Sequence, residues 1–438
     1  MIWAREEILT RSEIINIQNK GLKDTLNRIY NNVPYYKEKM KAKKITPKDI
    51  ETIIDLKNLP FTEKDDLRKN YPFGLFTVKK DELIRIHASS GTTGKPTVVG
   101  YTRKDLETWS ELIARLVTMA GATQKDVAQI AFGYGLFTGA FGLHYGLEKI
   151  GALVVPSSSG NTEKQIMLMK DFGTTILVST PSYALHMAEV AKKIGVNPKE
   201  DLNLKMGLFG GEGSTEAMRN EIQNAWGILA TENYGMSELI GPGVSGECTH
   251  LCGMHICEDH FIPEIIDPDT KEVLPEGEEG ELVITTITKE ALPLIRYRTK
   301  DITSLTYEPC ACGRTTVRMA KIQGRTDDML IVRGVNVFPS QIEDVLLKMK
   351  EIGPHYEIVL KKRGYLDFME IKVELADESL LESYSALERL EKKIKHQLQV
   401  ILGVDAIIKL VEPKTLQRFV GKAKRITDLR NEGGNQIG

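Results

Sequence analysis

The chain has 438 residues, of which 41% are hydrophobic and 27% charged, and its net charge is -2. That length exceeds one compact core and implies two or three domains, while the near-neutral charge offers no basic field to recruit nucleic acid or anionic lipid. No apolar run reaches the roughly 18 residues of a membrane helix, so neither nucleic acid nor membrane is an expected partner.

Residues 1–30 carry Arg5, Glu6, Glu7 and Arg11 where a secretory leader would be apolar. Ile14, Ile15, Leu22 and Leu26 predict an amphipathic surface helix instead, and the cytoplasm is the expected compartment. A strand over 83–87 leads into a glycine-rich loop, and a helix is expected over 102–119. Strands follow at 128–132, 151–156, 175–179 and 206–209, the last turning through glycines into a helix at 215–225. Strands alternating with helices predict an α/β body with a mostly parallel sheet covered on both faces.

Past Gly324 the pattern changes. A helix at 339–349 precedes strands at 356–362 and 368–375. Leu387, Leu390, Ile394 and Leu398 then mark a second helix, and a strand at 406–411 closes a small α+β unit.

The glycine-rich loop is Ser89-Ser90-Gly91-Thr92-Thr93-Gly94-Lys95. Glycines let backbone N–H groups crowd an anion, hydroxyls add donors, and a lysine adds charge. The hydrolase P-loop needs G-x-x-x-x-G-K-[ST] opening a helix; here Gly91 and Gly94 are too close together and Pro96 follows the lysine. An ordinary Ser/Thr/Gly surface turn is the plainer alternative.

Five cysteines fall into two groups, Cys248, Cys252 and Cys257, then Cys310 and Cys312. In a cytoplasmic protein such grouping points to metal before disulfide. Cys248, His255, Cys310 and Cys312 are the favoured ligands of a closed, structural Zn²⁺ site, with Cys252 and Cys257 close by in sequence. The alternative is a set of reduced, buried thiols.

Further motifs follow in order: Asn233-Tyr234-Gly235-Met236-Ser237-Glu238, Tyr297-Arg298-Thr299-Lys300-Asp301, Gly324-Arg325-Thr326-Asp327-Asp328 and Gly421-Lys422. With the loop at Ser89–Lys95, this series resembles the adenylate-forming superfamily, although Lys300 stands where that family usually has glycine. Pro34-Tyr35-Tyr36-Lys37, Glu258-Asp259-His260-Phe261 and Phe338-Pro339-Ser340-Gln341-Ile342-Glu343 are similar to its aryl-acid CoA ligases.

The resemblance implies a large multi-sheet N-terminal adenylation body (residues 1–325) and a small, mobile α+β C-terminal domain (326–438). It implies an ATP-dependent aryl-acid CoA ligase, phenylacetate being the favoured acid, that forms an acyl-adenylate, releases pyrophosphate and then acylates coenzyme A. An adenylyltransferase loading a carrier-protein thiol is the alternative.

Residue by residue, Ser89, Ser90, Gly91, Thr92, Thr93, Gly94 and Lys95 would grip phosphates, and Glu238 would hold Mg²⁺. Gly211, Glu212, Gly213, Asn233, Gly235 and Met236 would line the adenine pocket, with Tyr234 stacking on the base. Asp301 would accept the ribose hydroxyls with help from Arg325. Lys422 would reach the α-phosphate and substrate carboxylate, with Lys424 and Arg425 as alternatives. Asp327 would be the hinge, Arg333 and Gly334 would face coenzyme A, and the family suggests a homodimer. Tyr134, Phe137 and Phe141, interleaved with glycines, could form a flat slot for an aryl ring; ordinary core packing is the competing reading.

Overall fold

The computed structural model describes residues 1–88, 96–327, 329–333, 335–363, 366–419 and 424–430. Two N-terminal helices, α1 (Arg11–Asn32) and α2 (Pro34–Ala42), wrap the body, and the short α3 (Lys64–Lys69) follows. Thr10 and Glu13 start α1 with a reciprocal cap: the Thr10 backbone N–H donates to the Glu13 carboxylate at 2.9 Å. The hairpin β1 (Arg85–Ala88) and β2 (Val98–Tyr101) flanks the glycine-rich loop, which lies outside the described residues.

Next come α4 (Arg103–Ala120), β3 (Val127–Ile130), α5 (Gly139–Lys149), β4 (Leu153–Val155), α6 (Thr162–Asp171), β5 (Ile176–Ser179), α7 (Pro181–Lys193), β6 (Met206–Phe209), α8 (Glu216–Trp226) and β7 (Leu229–Met236). Thr102 caps α4 by accepting from the Asp105 N–H, and Gly121 ends it at φ 110°, a conformation glycine adopts without strain. Strands β4, β3, β5, β6 and β7 pair in parallel. β5 and β6 are buried along their whole length, as strands covered on both faces must be.

The sheet then reverses. β8 (Gly241–Glu247) and β9 (Met254–Ile256) continue it antiparallel from β7. A second, antiparallel sheet begins with β10 (Phe261–Ile266), β11 (Gly280–Thr286) and β12 (Tyr297–Thr303). β13 (Leu305–Thr306) and β14 (Arg318–Met319) complete the first sheet beside β9, and β15 (Gly324–Arg325) completes the second beside β12. The expectation of a mostly parallel sheet therefore needs correction: four of the nine strands of the main sheet (β8, β9, β13, β14) lie on its antiparallel side, and a four-stranded antiparallel sheet stands apart. These later strands are buried almost throughout and carry buried polar residues such as Glu281, Arg298 and Asp301, so no apolar/polar alternation marks them in the sequence.

The reversal at β7 requires close backbone contact. A Cβ at Gly235 would lie 2.0 Å from the Gly241 carbonyl oxygen. Gly235→Ala must open the β7–β8 hairpin, so a loss of about 2–3 kcal/mol in denaturant unfolding is expected. Gly213→Ala, where a Cβ meets nothing within 4 Å, is expected to change stability by less than about 0.5 kcal/mol.

The C-terminal region has its own core. A hairpin of β16 (Leu330–Val332) and β17 (Val335–Val337) leads to α9 (Pro339–Leu346), β18 (Ile352–Arg363), β19 (Leu366–Leu375), α10 (Tyr384–Leu402), β20 (Ala406–Val411) and β21 (Ile426–Asp428). Its sheet runs β20-β19-β18-β21, so the expected α-β-β-α-β unit gains a hairpin before it and a short parallel strand after it. Ile342, Ile358, Ile371, Ile394 and Leu398 form the centre of this cluster, separate from the clusters of the body.

Candidate active site

The parallel strands end on one side of the sheet, where open α/β folds bind ligands. β5 is followed at once by Thr180, whose hydroxyl caps α7 by accepting from the Tyr183 N–H at 3.3 Å. β6 ends in Gly210-Gly211-Glu212-Gly213. A Cβ at Gly210 would meet the Asn233 carbonyl oxygen at 2.7 Å, and Gly211 has φ 84°. Asn233 donates its side-chain amide to the Phe209 carbonyl at 2.8 Å, tying the ends of β6 and β7 together. Glu212 accepts from the Ser182 N–H at 2.7 Å, so its carboxylate sits on the N-terminus of α7, a site that favours negative charge. Met236 is half-buried against the body's core.

Asp301 and Arg325 face each other in the β12–β15 register. Arg325 donates to one Asp301 oxygen at 2.6 Å, and the Tyr234 hydroxyl donates to the other at 2.6 Å. The same guanidinium holds Asp327 through Nε at 2.8 Å. Burial raises the Asp301 carboxyl pKa, offset by the Arg325 charge and the Tyr234 hydrogen bond. Burial, then the Asp301 charge, pushes the Tyr234 phenol well above its ordinary value, so it remains a donor. Each carboxylate oxygen keeps a second lone pair for an incoming hydroxyl.

Glu238 is 3% exposed, and its Oε1 has no hydrogen-bond partner among the described residues. Lys64 Nζ lies 3.7 Å from that oxygen. Lys289 Nζ lies 3.5 Å from the Glu238 carbonyl oxygen and 4.7 Å from the Tyr101 ring centroid. Burial pushes the Lys289 ammonium down to about 8, against the pull of Asp105 and Glu238. His87 is also buried here, Nδ1 at 3.0 Å from the Leu136 carbonyl oxygen and its ring edge-on to Tyr101, Trp109 and Phe141. Lys64 and Lys289 belong to no pattern in the sequence that assigns them to a site, and folding alone brings them here; His87 lies at the head of the glycine-rich motif.

The three aromatic candidates separate into two groups. Tyr134 and Phe141 meet edge to face at 5.2 Å, and the Tyr134 hydroxyl pairs with His144 Nδ1 at 3.0 Å. Phe137 is 45% exposed and tilts against Phe132 at 6.4 Å instead. Ser89–Lys95, Gly334 and Lys422 lie outside the described residues. Arg333 is exposed at φ 52°, donates to the Asp367 carbonyl at 3.0 Å and covers the Phe368 ring at 4.8 Å. Arg425 sits 3.0 Å from Glu343, above the Tyr356 ring.

The four metal candidates come together. One ligand atom from each of Cys248, His255, Cys310 and Cys312 lies within 4.8 Å of the others. The β9–β14 register aligns His255 with Arg318 and so brings the 310–312 turn over Cys248. Cys248 Sγ is 3.7 Å from Cys310 Sγ, and Cys312 Sγ is 3.4 Å from His255 Nε2. A tetrahedron with Zn–S bonds of about 2.3 Å has S–S edges of about 3.8 Å, so the spacing fits. His255 Nδ1 lies 3.1 Å from the Thr316 hydroxyl, the outer partner that metal-bound imidazoles commonly keep. Cys252 Sγ, 3.3 Å from Cys310 Sγ, is a competing thiol at the rim.

Two family models match the chain, AMP-binding enzyme over residues 29–288 and AMP-binding enzyme C-terminal domain over 334–430. The phenylacetate-coenzyme A ligase of Thermus thermophilus is 48% identical, covering 97% of this chain and 98% of that protein. That of Escherichia coli is 45% identical, covering 97% of each. Among solved structures, 2-hydroxyisobutyryl-CoA ligase in the postadenylation state with 2-HIB-AMP superposes at TM-score 0.91 and 28% identity, covering 97% of this chain and 91% of that one. The same ligase with 2-HIB-AMP and CoA in the thioesterification state gives 0.72, covering 98% and 92%. The arrangement of this chain is nearer the first state than the second.

Proposed function

Because this chain belongs to the phenylacetate-coenzyme A ligase family of AMP-binding enzymes, we propose that it joins an aryl acid, phenylacetate first among them, to coenzyme A through an acyl-adenylate. The acid's carboxylate oxygen attacks the α-phosphorus of ATP and pyrophosphate leaves. The coenzyme A sulfur then attacks the acyl carbon, releasing AMP. The observation that carries this reading is the buried Asp301 carboxylate, held by Tyr234 and Arg325 at the carboxyl ends of the parallel strands.

In this reading Asp301 accepts the ribose hydroxyls, and Gly211, Gly213 and Tyr234 border the base. Glu212, seated on α7, keeps the adenine loop in place. Ser89–Lys95 grips the departing phosphates, and Lys422 neutralises the developing charge, as the family resemblance implies. Repulsion between carboxylate and phosphate is what such groups must offset. Tyr134 and Phe141 form the wall facing the ring, with Phe137 at its open end, and Arg333 and Gly334 meet coenzyme A after a turn about Asp327. The division at residues 325 and 326 belongs to the same proposal, supported by the separate C-terminal core.

Glu238 fits a magnesium ligand, since its buried Oε1 is a hard oxygen without a hydrogen-bond partner among the described residues. Magnesium held there would supply positive charge to offset the negative charge of the phosphates. Glu238→Gln is expected to slow adenylation on the order of a hundredfold and to raise the magnesium concentration needed, read by titrating magnesium in an exchange assay. Cys248, His255, Cys310 and Cys312 fit a closed Zn²⁺ site that serves structure. The reading includes a cytoplasmic location, supported by five free thiols, and a homodimer, to be checked by sedimentation. No helix among the described residues is long and apolar enough to cross a membrane.

The deciding experiment is acid-dependent ATP–pyrophosphate exchange without coenzyme A, followed by thioester detection with it. Exchange with phenylacetate and a phenylacetyl thioester are expected; no exchange with any aryl acid would reject the proposal.

A further inference from the structure

Helix α7 begins at the candidate site, where Glu212 accepts from the Ser182 N–H. Its far end reaches the small domain. There Glu189 meets two side chains from that domain: His355 Nε2, on β18, at 2.9 Å, and Arg418 Nε, beyond β20, at 3.4 Å. His186, one turn back on α7, lies 3.8 Å away on the same carboxylate.

Arg418 is already fixed within its own domain. Its two terminal nitrogens each donate to Glu374 of β19 at 2.8 Å, and the Leu416 N–H donates to the same carboxylate at 2.7 Å. Seven residues further on, the Arg425 carbonyl accepts from the Ile358 N–H of β18 at 2.7 Å. Arg418 and Arg425, which flank Lys422 in the sequence, are therefore tied to β19 and β18. Lys422 follows Arg418 by four residues in the sequence, and four residues of chain span at most about 14 Å. Whatever fixes Arg418 against the body limits where Lys422 can be.

We propose that Glu189 is a positioning residue for adenylation: by engaging His355 and Arg418 it holds the small domain in the orientation that presents Lys422 to the bound nucleotide, and it must release both before thioester formation. This rests on the CoA-ligase reading above and adds to it a body-side latch. Glu189 contacts side chains of the other domain and acts through that domain's orientation. Its side chain is 38% exposed, so salt weakens the latch as it weakens any partly solvated ion pair.

The test separates the two half-reactions. Acid-dependent ATP–pyrophosphate exchange reads adenylation, and thioester formation from presynthesised phenylacetyl-adenylate and coenzyme A reads the second step. Glu189→Ala is expected to lower exchange about tenfold, the scale of hydrogen bonds to charged groups, and to leave the second step unchanged or faster. His355→Ala is expected to act in the same direction by less. The double variant should be no slower than Glu189→Ala, since that substitution already removes the His355 contact. The near-isosteric Glu189→Gln guards against a folding defect and should show the same imbalance between the two steps. Equal losses in both half-reactions, or no loss of exchange in any variant, would overturn the assignment. If the wild-type chain performs neither half-reaction with any aryl acid, the CoA-ligase reading itself fails, and the latch with it.

Discussion

Asp301→Ala is expected to lower kcat/KM for ATP by about a hundredfold to a thousandfold in acid-dependent adenylation. Two hydrogen bonds from ribose hydroxyls to a carboxylate contribute about 1.5–2 kcal/mol each, and their joint loss is on this scale. The substitution also leaves the Tyr234 hydroxyl and one Arg325 nitrogen without the acceptors they meet at 2.6 Å, so the pocket loosens as well as losing its charge. Asp301→Asn keeps the shape and one acceptor oxygen, and should fall between wild type and alanine. Steady-state kinetics with ATP varied at saturating acid will measure it. A loss below about fivefold in the alanine variant would remove Asp301 from the nucleotide site.

The second large effect concerns the cysteine and histidine cluster. The purified chain is expected to carry one zinc ion, and Cys310→Ser to lose it. A structural zinc site contributes folding free energy directly; a loss of about 3 kcal/mol would lower the melting point of a body this size by roughly 5–10 °C. Metal analysis and calorimetry on one preparation check both numbers. Cys252→Ser supplies the contrast: its sulfur lies 3.3 Å from Cys310 Sγ but outside the four-ligand group, so that variant should keep its zinc and its melting point. A metal-free wild type, or a Cys310→Ser chain that still binds zinc, would reject the site.

What the sequence revealed depended on whether neighbours in space were also neighbours in pattern. Strands β3, β5 and β6 stood out because each is a short apolar run between a turn and a helix, and β20 was delimited residue for residue. Tyr234, Asp301 and Arg325 stood out because each lies in a recognisable motif, although only the β12–β15 pairing joins the last two. The four metal candidates could be chosen from clustering, but their closeness depends on the β9–β14 register, which no local spacing encodes. Lys289 and Glu189 had no such signal. One is a lysine in a polar run that becomes buried; the other is a surface helix glutamate whose partners lie more than 160 residues further on. The antiparallel sheet of β10, β11 and β12 was missed because paired polar side chains such as Glu281 and Arg298 are buried within it, so its burial does not follow an apolar pattern. β21, three residues long, is too short to announce itself.

The separate closing of the two hydrophobic cores also bears on how temperature acts on the enzyme. The body and the small domain each bury their own apolar side chains, and Leu347 is the small-domain residue that rests on the body's cluster around Trp226. The proposed turn of one domain against the other would open neither core. Heat-capacity change follows newly wetted apolar surface, so the two proposed orientations should differ little in heat capacity. Their balance should shift with temperature along a nearly straight van't Hoff line, while the folded state of each part keeps the curved temperature dependence of a sealed interior.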